Sequence, residues 1–146
     1  MADQVSERIR VDASAAHCFD VATDFEQYPS WARDVKEAKV LDRDAQGRGT
    51  TVEFRAAAMG RTIRYVLTYD YSDAPHAFSW KLLEGDMLRK LDGRYQFDAE
   101  GDGAARVTYD LAVDLAVPLP GLIKRRAAGL IMGNALKELK RNVEKS

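Results

Sequence analysis

The chain has 146 residues and a formal net charge of −1, with 46% hydrophobic and 31% charged residues. This length fits one domain, which we expect to span residues 1–146. The balance of 22 Lys and Arg against 23 Asp and Glu argues against nucleic acid as a partner, because phosphate binding needs a surplus of cations.

The sequence also disfavours a membrane-spanning protein and a protein held together by disulfides. No apolar run approaches the roughly 18 residues that indicate a membrane span. The polar N-terminus does not resemble a signal peptide, so we expect a cytoplasmic location. The single cysteine, Cys18, excludes an intrachain disulfide and a cysteine-based metal cluster.

The N-terminal region predicts a strand followed by short helices. Alternating polarity over Gln4–Val11 is typical of a strand. Ser14 is a candidate N-cap for a short amphipathic helix over residues 15–23, because its hydroxyl can accept an amide hydrogen of the first turn. Pro29 ends any continuation of that helix. Residues 24–31 are therefore predicted as a turn or broken helix that carries three aromatic side chains.

The middle of the chain predicts an antiparallel meander. Turn signals recur about every 10–15 residues, a spacing typical of hairpins; they fall at residues 45–47, 59–60, 73–75, 84–86 and 100–103. Alternation is clearest over residues 61–71, where one face carries Ile63, Tyr65, Leu67, Tyr69 and Tyr71. One face of the sheet is therefore expected to be buried and the other to meet water.

The period of the pattern changes after Pro118-Leu119-Pro120-Gly121. Residues 122–143 contain no proline and place apolar side chains on one stripe, which predicts a helix of about 33 Å at 1.5 Å per residue. A sheet followed by one long helix gives an α+β architecture.

Three stretches carry a resemblance to a known family. They are Asp24-Phe25-Glu26-Gln27-Tyr28-Pro29-Ser30-Trp31, residues 91–97 and residues 107–111. With the order of elements, they resemble the START-like (SRPBCC) superfamily, in particular its polyketide cyclase/dehydrase and lipid-transport group, which includes coenzyme Q-binding proteins. The run from Val113 to Pro120, which leads into the basic helix, resembles small actinobacterial members closely.

The resemblance implies a helix-grip fold. In that fold a seven-stranded antiparallel sheet wraps around a long C-terminal helix, with short helices after the first strand and a ligand cavity between sheet and helix. Members include carriers, ligand sensors and cyclases, so the fold does not decide the function.

Side chains on the inward face are the candidate ligand contacts. A buried tyrosine hydroxyl needs a hydrogen-bond partner, which a ligand oxygen can supply. Arg89 shares parity with inward residues and is expected to point inward. The candidate cavity residues are Tyr65, Tyr69, Trp80, Arg89, Tyr95, Tyr109, Ile131 and Ala135, and those of the cavity mouth are Tyr28, Trp31 and Leu119.

A plainer interpretation of the same residues stays open. Tyrosines on a sheet face are often ordinary core, with hydroxyls that reach the rim, and Arg89 can equally be a strand-end residue in solvent. Small residues on the helix, at positions 127–129, 133 and 135, favour a cavity because they leave space opposite the rings.

Two motifs that mimic metal or catalytic sites have simpler explanations. Residues 42–47 with Glu53 nearly match a calcium loop, but that motif needs flanking helices and here the flanks alternate like strands. His17 and Cys18 are neighbours on a helix and point roughly 100° apart, so they do not form a nucleophile–base pair. We expect no metal and no cofactor.

The last helix is basic. Its cations are Lys124, Arg125, Arg126, Lys137, Lys140, Arg141 and Lys145. They form either a solvated outer face or a surface for transient contact with an anionic membrane. We expect a monomer or weak homodimer.

These observations lead to three functional hypotheses. The first is binding or transport of a hydrophobic small molecule, such as a lipid, an isoprenoid quinone or a polycyclic aromatic. The second is a polyketide aromatase/cyclase, for which no catalytic set can be aligned with this chain. The third is a ligand-sensing module that binds another protein.

Overall fold

The computed structural model describes residues 3–58, 61–116 and 134–145. Their elements, in chain order, are β1 (Asp3–Val11), α1 (Ala15–Thr23), a 3₁₀ turn (Phe25–Gln27), α2 (Tyr28–Trp31), β2 (Val35–Arg43), β3 (Gly49–Ala58), β4 (Arg61–Asp70), β5 (Ala77–Gly85), β6 (Leu88–Ala99) and β7 (Ala105–Leu115). Residues 134–145 form a C-terminal helix, α3.

The strands form one antiparallel sheet in the order β1-β7-β6-β5-β4-β3-β2. Neighbours along the chain pair from β2 to β7, and β1 pairs with β7 at one edge. With the short helices after β1 and the C-terminal helix, this is the α+β helix-grip architecture that the resemblance implied. No helix in the described ranges is long and apolar enough to cross a bilayer.

The connection from β1 to β2 follows the predicted pattern. Ser14 caps α1 by accepting a hydrogen bond from the His17 N–H at 3.1 Å. The segment after α1 is a broken helix, because the 3₁₀ turn leads directly into α2, which carries Pro29 in its first turn. This arrangement brings the rings of Tyr28 and Trp31 within 4.9 Å of each other.

The turn predicted at residues 84–86 lies at residues 86–87. The β5–β6 turn consists of Asp86 and Met87, with Met87 in the left-handed region at φ 59°. Gly85 instead ends β5 opposite Tyr65, where an added Cβ would lie 2.9 Å from the Tyr65 Cβ. Its glycine therefore serves a close approach between strands rather than the turn. The predicted turn at residues 59–60 lies outside the described residues.

The hydrophobic core lies between the sheet and the helices. On α3 the buried side chains are Leu136, Leu139 and Val143, which agrees with the predicted apolar stripe. Residues 122–133 of the predicted helix lie outside the described residues.

Polar contacts hold α3 at both of its described ends. The Glu138 carboxylate accepts a hydrogen bond from the Arg33 N–H at 2.9 Å, and Glu144 accepts one from the Asp12 N–H at 2.8 Å. Lys140 donates to the Arg10 carbonyl at 3.0 Å and pairs with Glu144. These contacts fix the helix against the chain before β2 and the end of β1.

Candidate ligand-binding site

All six tyrosines of the chain belong to one aromatic cluster that packs around the core. On the sheet, Tyr95 and Tyr109 lie opposite each other in the β6–β7 pair, with ring centroids 4.5 Å apart. Trp80 contacts both rings, at 5.5 and 5.7 Å, and also contacts Tyr69, its partner in the β4–β5 pair, at 5.9 Å. Rings from four neighbouring strands, β4 to β7, therefore form one continuous surface.

A glycine allows the central ring of this surface to lie flat on the neighbouring strand. Gly93 on β6 lies opposite Trp80, and an added Cβ there would be 2.3 Å from the Trp80 Cζ2 and 2.9 Å from the Asp110 carbonyl oxygen. Only a residue without a side chain leaves that space. Gly93 thus sets the position of the Trp80 indole.

The tyrosine hydroxyls divide into two sets. Tyr71 donates to the Gly49 carbonyl at 2.6 Å and Tyr28 donates to the Ala22 carbonyl, so these two hydroxyls are occupied by the backbone. No described residue forms a hydrogen bond with the other four hydroxyls, which belong to Tyr65, Tyr69, Tyr95 and Tyr109.

These four hydroxyls keep their hydrogen-bonding capacity. A phenol both donates and accepts, so each of them can pair with a polar atom that a ligand brings. In the described part of the chain, Trp31 Nε1 is also enclosed without a hydrogen-bond partner.

Burial keeps the tyrosines in their neutral form. It raises the pKa of Tyr65 to about 12 and raises the pKa of Tyr69, Tyr95 and Tyr109 further above the ordinary value, with neighbouring tyrosines adding to the effect for the last three. The phenols therefore act as hydrogen-bond donors near neutral pH rather than as bases. No charged side chain is buried in the described part of the chain.

Two open cavities lie among the described residues. One, of about 670 Å³, spans the β3–β5 region and is lined by Arg48, Thr68 and Asp70 as well as Tyr69 and Trp80. The other, of about 420 Å³, lies between α2 and α3. The cavity predicted between the inward face and the long helix involves small residues at positions 127–129 and 133, which lie outside the described residues, so it stays a prediction.

The chain matches the family described as polyketide cyclase / dehydrase and lipid transport over residues 2–144. It belongs to this family. The match covers nearly all of the fold described above.

Solved structures share the fold. A START superfamily protein from Mycobacterium smegmatis is 27% identical, with a TM-score of 0.92 and coverage of 97% of each chain. The Zhui aromatase/cyclase from Streptomyces sp. R1128 is 14% identical, with a TM-score of 0.84 over 99% of this chain and 95% of that one. A protein from Thermus thermophilus is 21% identical, with a TM-score of 0.78 over 98% of this chain and 95% of that one. No curated protein matches the chain.

Most of the predicted site residues of this family member lie together. Tyr65, Tyr69, Trp80, Tyr95 and Tyr109 share the aromatic surface, and Tyr65 stacks on Phe54 at 5.4 Å. The mouth candidates Tyr28 and Trp31 are half-buried and pack against the core, as does Ala135. Ile131 and Leu119 lie outside the described residues.

Arg89 was expected to point inward, but its side chain is exposed. The β6–β7 register shifts between Leu88 and Lys90, so the alternation of β6 is interrupted at Arg89. A bulge of this kind changes the face on which later residues lie, and a parity count along the sequence does not detect it.

Sequence reasoning missed two phenylalanines that complete the aromatic cluster. Phe54 on β3 and Phe25 in the 3₁₀ turn are buried, and their ring centroids lie 6.3 Å apart. Phe25 also contacts Tyr69 at 4.4 Å. The alternation of Val52, Phe54 and Ala56 along β3 could have indicated that Phe54 is buried. Phe25 lies in the 3₁₀ turn, where the sequence has no periodic pattern that predicts burial.

The two motifs set aside earlier behave as structural features. Asp44 closes the β2–β3 turn by accepting hydrogen bonds from the Gln46 and Arg48 N–H groups, each at 2.9 Å. Cys18 is buried, and burial raises the pKa of its thiol to about 11. A thiol in that state is a poor nucleophile near neutral pH.

Proposed function

We propose that the protein binds a neutral, hydrophobic small molecule that carries carbonyl or hydroxyl oxygens, against the aromatic surface formed by Tyr65, Tyr69, Trp80, Tyr95 and Tyr109. An isoprenoid quinone and a polycyclic aromatic ketone both have this chemistry. The observation that carries the proposal is the set of four tyrosine hydroxyls without a protein partner in the described chain.

Contact between the ligand and the aromatic rings supplies most of the proposed binding affinity. Aromatic side chains contribute large contact areas, and small-molecule sites combine such apolar walls with a few polar groups that fix orientation. Here the walls are contributed by four strands and the polar groups are phenols. A ligand oxygen would replace the water that otherwise pairs with each hydroxyl.

The same electrostatics disfavour an anionic ligand in the interior. A carboxylate moved out of water needs a cation or several hydrogen bonds to offset its desolvation. Among the described residues no cation is buried, and Arg89 is exposed. The ligand class is therefore neutral.

The described residues suit a protein that binds its ligand without a chemical reaction better than they suit a cyclase. A cyclase needs a group that removes an α-proton near neutral pH. The raised pKa values of the tyrosines make them weak acids, and no buried histidine or carboxylate accompanies them in the described ranges. The hypothesis of a polyketide cyclase is tested separately, by reconstitution with a minimal polyketide synthase; a change in product pattern would support it.

The proposed function is tested with three compounds of similar size: an isoprenoid naphthoquinone, a hydrocarbon without oxygens and a naphthoate. We expect the quinone to raise the melting temperature most, the hydrocarbon less and the naphthoate least. A quinone effect equal to that of the hydrocarbon would show that the hydroxyls contribute nothing. A naphthoate effect larger than that of the quinone would contradict a neutral site.

A further inference from the structure

The groove between α2 and α3 carries a concentration of positive charge. Its walls include Arg33 from the chain after α2, and Lys137 and Arg141 from α3. Lys137 and Arg141 are four residues apart on a helix and therefore share a face. Glu138 is the one anion among the residues that line the groove, so the formal charge of these four side chains is +2.

The three cations have no partner among the described residues. This differs from much of the rest of the chain, where arginines are held in ion pairs, for example Arg64 with Glu53 at 2.8 Å and Arg106 with Glu100 at 2.9 Å. Glu138 accepts a hydrogen bond from the Arg33 N–H, which holds the chain between α2 and β2 against α3.

The Trp31 side chain also lines the groove. Its indole Nε1 is itself enclosed and has no hydrogen-bond partner in the described chain, so this atom does not contact the open groove. The ring therefore serves as a neighbouring reporter of what the groove binds, and the cations supply the binding contacts.

We propose that this groove binds a phosphate group, at a site separate from the aromatic surface. Two guanidinium groups present planar forks that match phosphate oxygens, and a lysine adds a point charge. The volume of about 420 Å³ is sufficient for a phosphate with its attached group. The phosphate is carried either by an anionic phospholipid or by a soluble molecule.

Inorganic phosphate is the first probe. The chain has two tryptophans, so a heteronuclear NMR spectrum contains two indole N–H signals, which Trp31→Phe and Trp80→Phe assign. At constant ionic strength, we expect phosphate to shift the Trp31 signal saturably and to leave the Trp80 signal in place. An unmoved Trp31 signal in both the phosphate and the vesicle arm would overturn the proposal.

Vesicles distinguish the two sources of phosphate. If the group is a lipid headgroup, phosphatidylglycerol vesicles bind the protein, phosphatidylcholine vesicles do not, and inorganic phosphate competes. If the source is soluble, phosphate shifts the Trp31 signal and neither kind of vesicle binds. Either result supports the phosphate site. If the aromatic surface does not bind the quinone, this proposal is unaffected.

A matched pair of double variants tests the residues. Lys137→Gln with Arg141→Gln removes two groove cations, and Lys39→Gln with Arg8→Gln removes two exposed cations on strands outside the groove. We expect the first pair to weaken phosphate binding by about tenfold or more, since charge-assisted hydrogen bonds are the strong ones. The second pair should leave it within about twofold, because these cations do not line the groove and salt screens their longer-range attraction. Equal weakening by both pairs would indicate non-specific attraction and overturn the site.

Discussion

At the level of single residues, the tyrosines have two different roles. Tyr71 and Tyr28 use their hydroxyls to hold backbone carbonyls, whereas Tyr95 and Tyr109 have no hydrogen-bond partner among the described residues. The same residue type therefore stabilises the fold in one place and keeps an unpaired hydroxyl in another. Sequence alone does not separate the two roles, because the distinction depends on which carbonyl lies within reach.

Removal of single hydroxyls separates these roles. Tyr71→Phe loses the 2.6 Å bond to the Gly49 carbonyl, so we expect its free energy of unfolding to fall by about 1 kcal/mol with quinone binding unchanged. Tyr95→Phe and Tyr109→Phe lose no bond within the described chain, so stability should hold while quinone affinity falls severalfold. Denaturant titration and quinone titration measure the two quantities. The assignment of the hydroxyls would be wrong if Tyr71→Phe reduced quinone affinity while Tyr95→Phe and Tyr109→Phe reduced stability.

Alkaline pH tests the burial of the phenols. In the unfolded chain a tyrosine loses its proton near pH 10, while burial raises the pKa of folded Tyr65 to about 12 and that of Tyr95 well above its ordinary value. The unfolded state therefore binds fewer protons than the folded state above about pH 10. Stability is complete below this pH and is lost as the pH rises through the folded pKa values.

We expect tyrosinate absorbance to appear together with the loss of circular dichroism in an alkaline titration. Tyrosinate formation at its ordinary pKa in a chain that keeps its native circular dichroism would show that the rings are solvated. Denaturant titrations at several pH values provide the same comparison in free energy.

At the level of elements, the aromatic surface depends on how β5 and β6 approach each other. Gly93→Ala would place a methyl group 2.3 Å from the Trp80 ring. Overpacking of this kind typically costs about 1–3 kcal/mol, and it should also move the indole and reduce quinone affinity. Chemical denaturation and quinone titration measure both effects.

A second substitution makes this test specific. Trp80→Phe removes the ring atoms that meet the added methyl group, so it should restore part of the stability lost in Gly93→Ala. The Asp110 carbonyl, 2.9 Å from the added Cβ, limits the recovery. Additive effects of the two substitutions would mean that Trp80 and Gly93 do not interact as described.

The strands could be predicted from the sequence because one side of the sheet is buried. Alternation over β4 placed Tyr65 and Tyr69 on the inward face correctly. It failed where the ladder is irregular: the bulge beside Arg89 changes the parity, and Gly85 is a glycine for close packing rather than for a turn. Such features depend on the neighbouring strand, which a single-strand pattern does not contain.

At the level of the whole molecule, the resemblance predicted the family and the fold, and the family match over residues 2–144 and the shared fold confirm both. The ligand site between sheet and helix stays a prediction. The groove that includes Trp31 and Arg141 was not predicted, since its residues are far apart in the sequence and only the packing of α3 against α2 joins them. The basic character of the last helix was visible, but not which cations remain unpaired: Lys140 is bound to Glu144 and the Arg10 carbonyl.

The most direct test of the central claim is native mass spectrometry of the protein isolated from its native host, followed by organic extraction. The account predicts a bound compound that is neutral, hydrophobic and oxygenated, released by organic solvent and bound less by the double variant Tyr95→Phe with Tyr109→Phe. A protein that carries no such compound and is not stabilised by the quinone, or one that retains an anionic ligand on the aromatic surface, would contradict it.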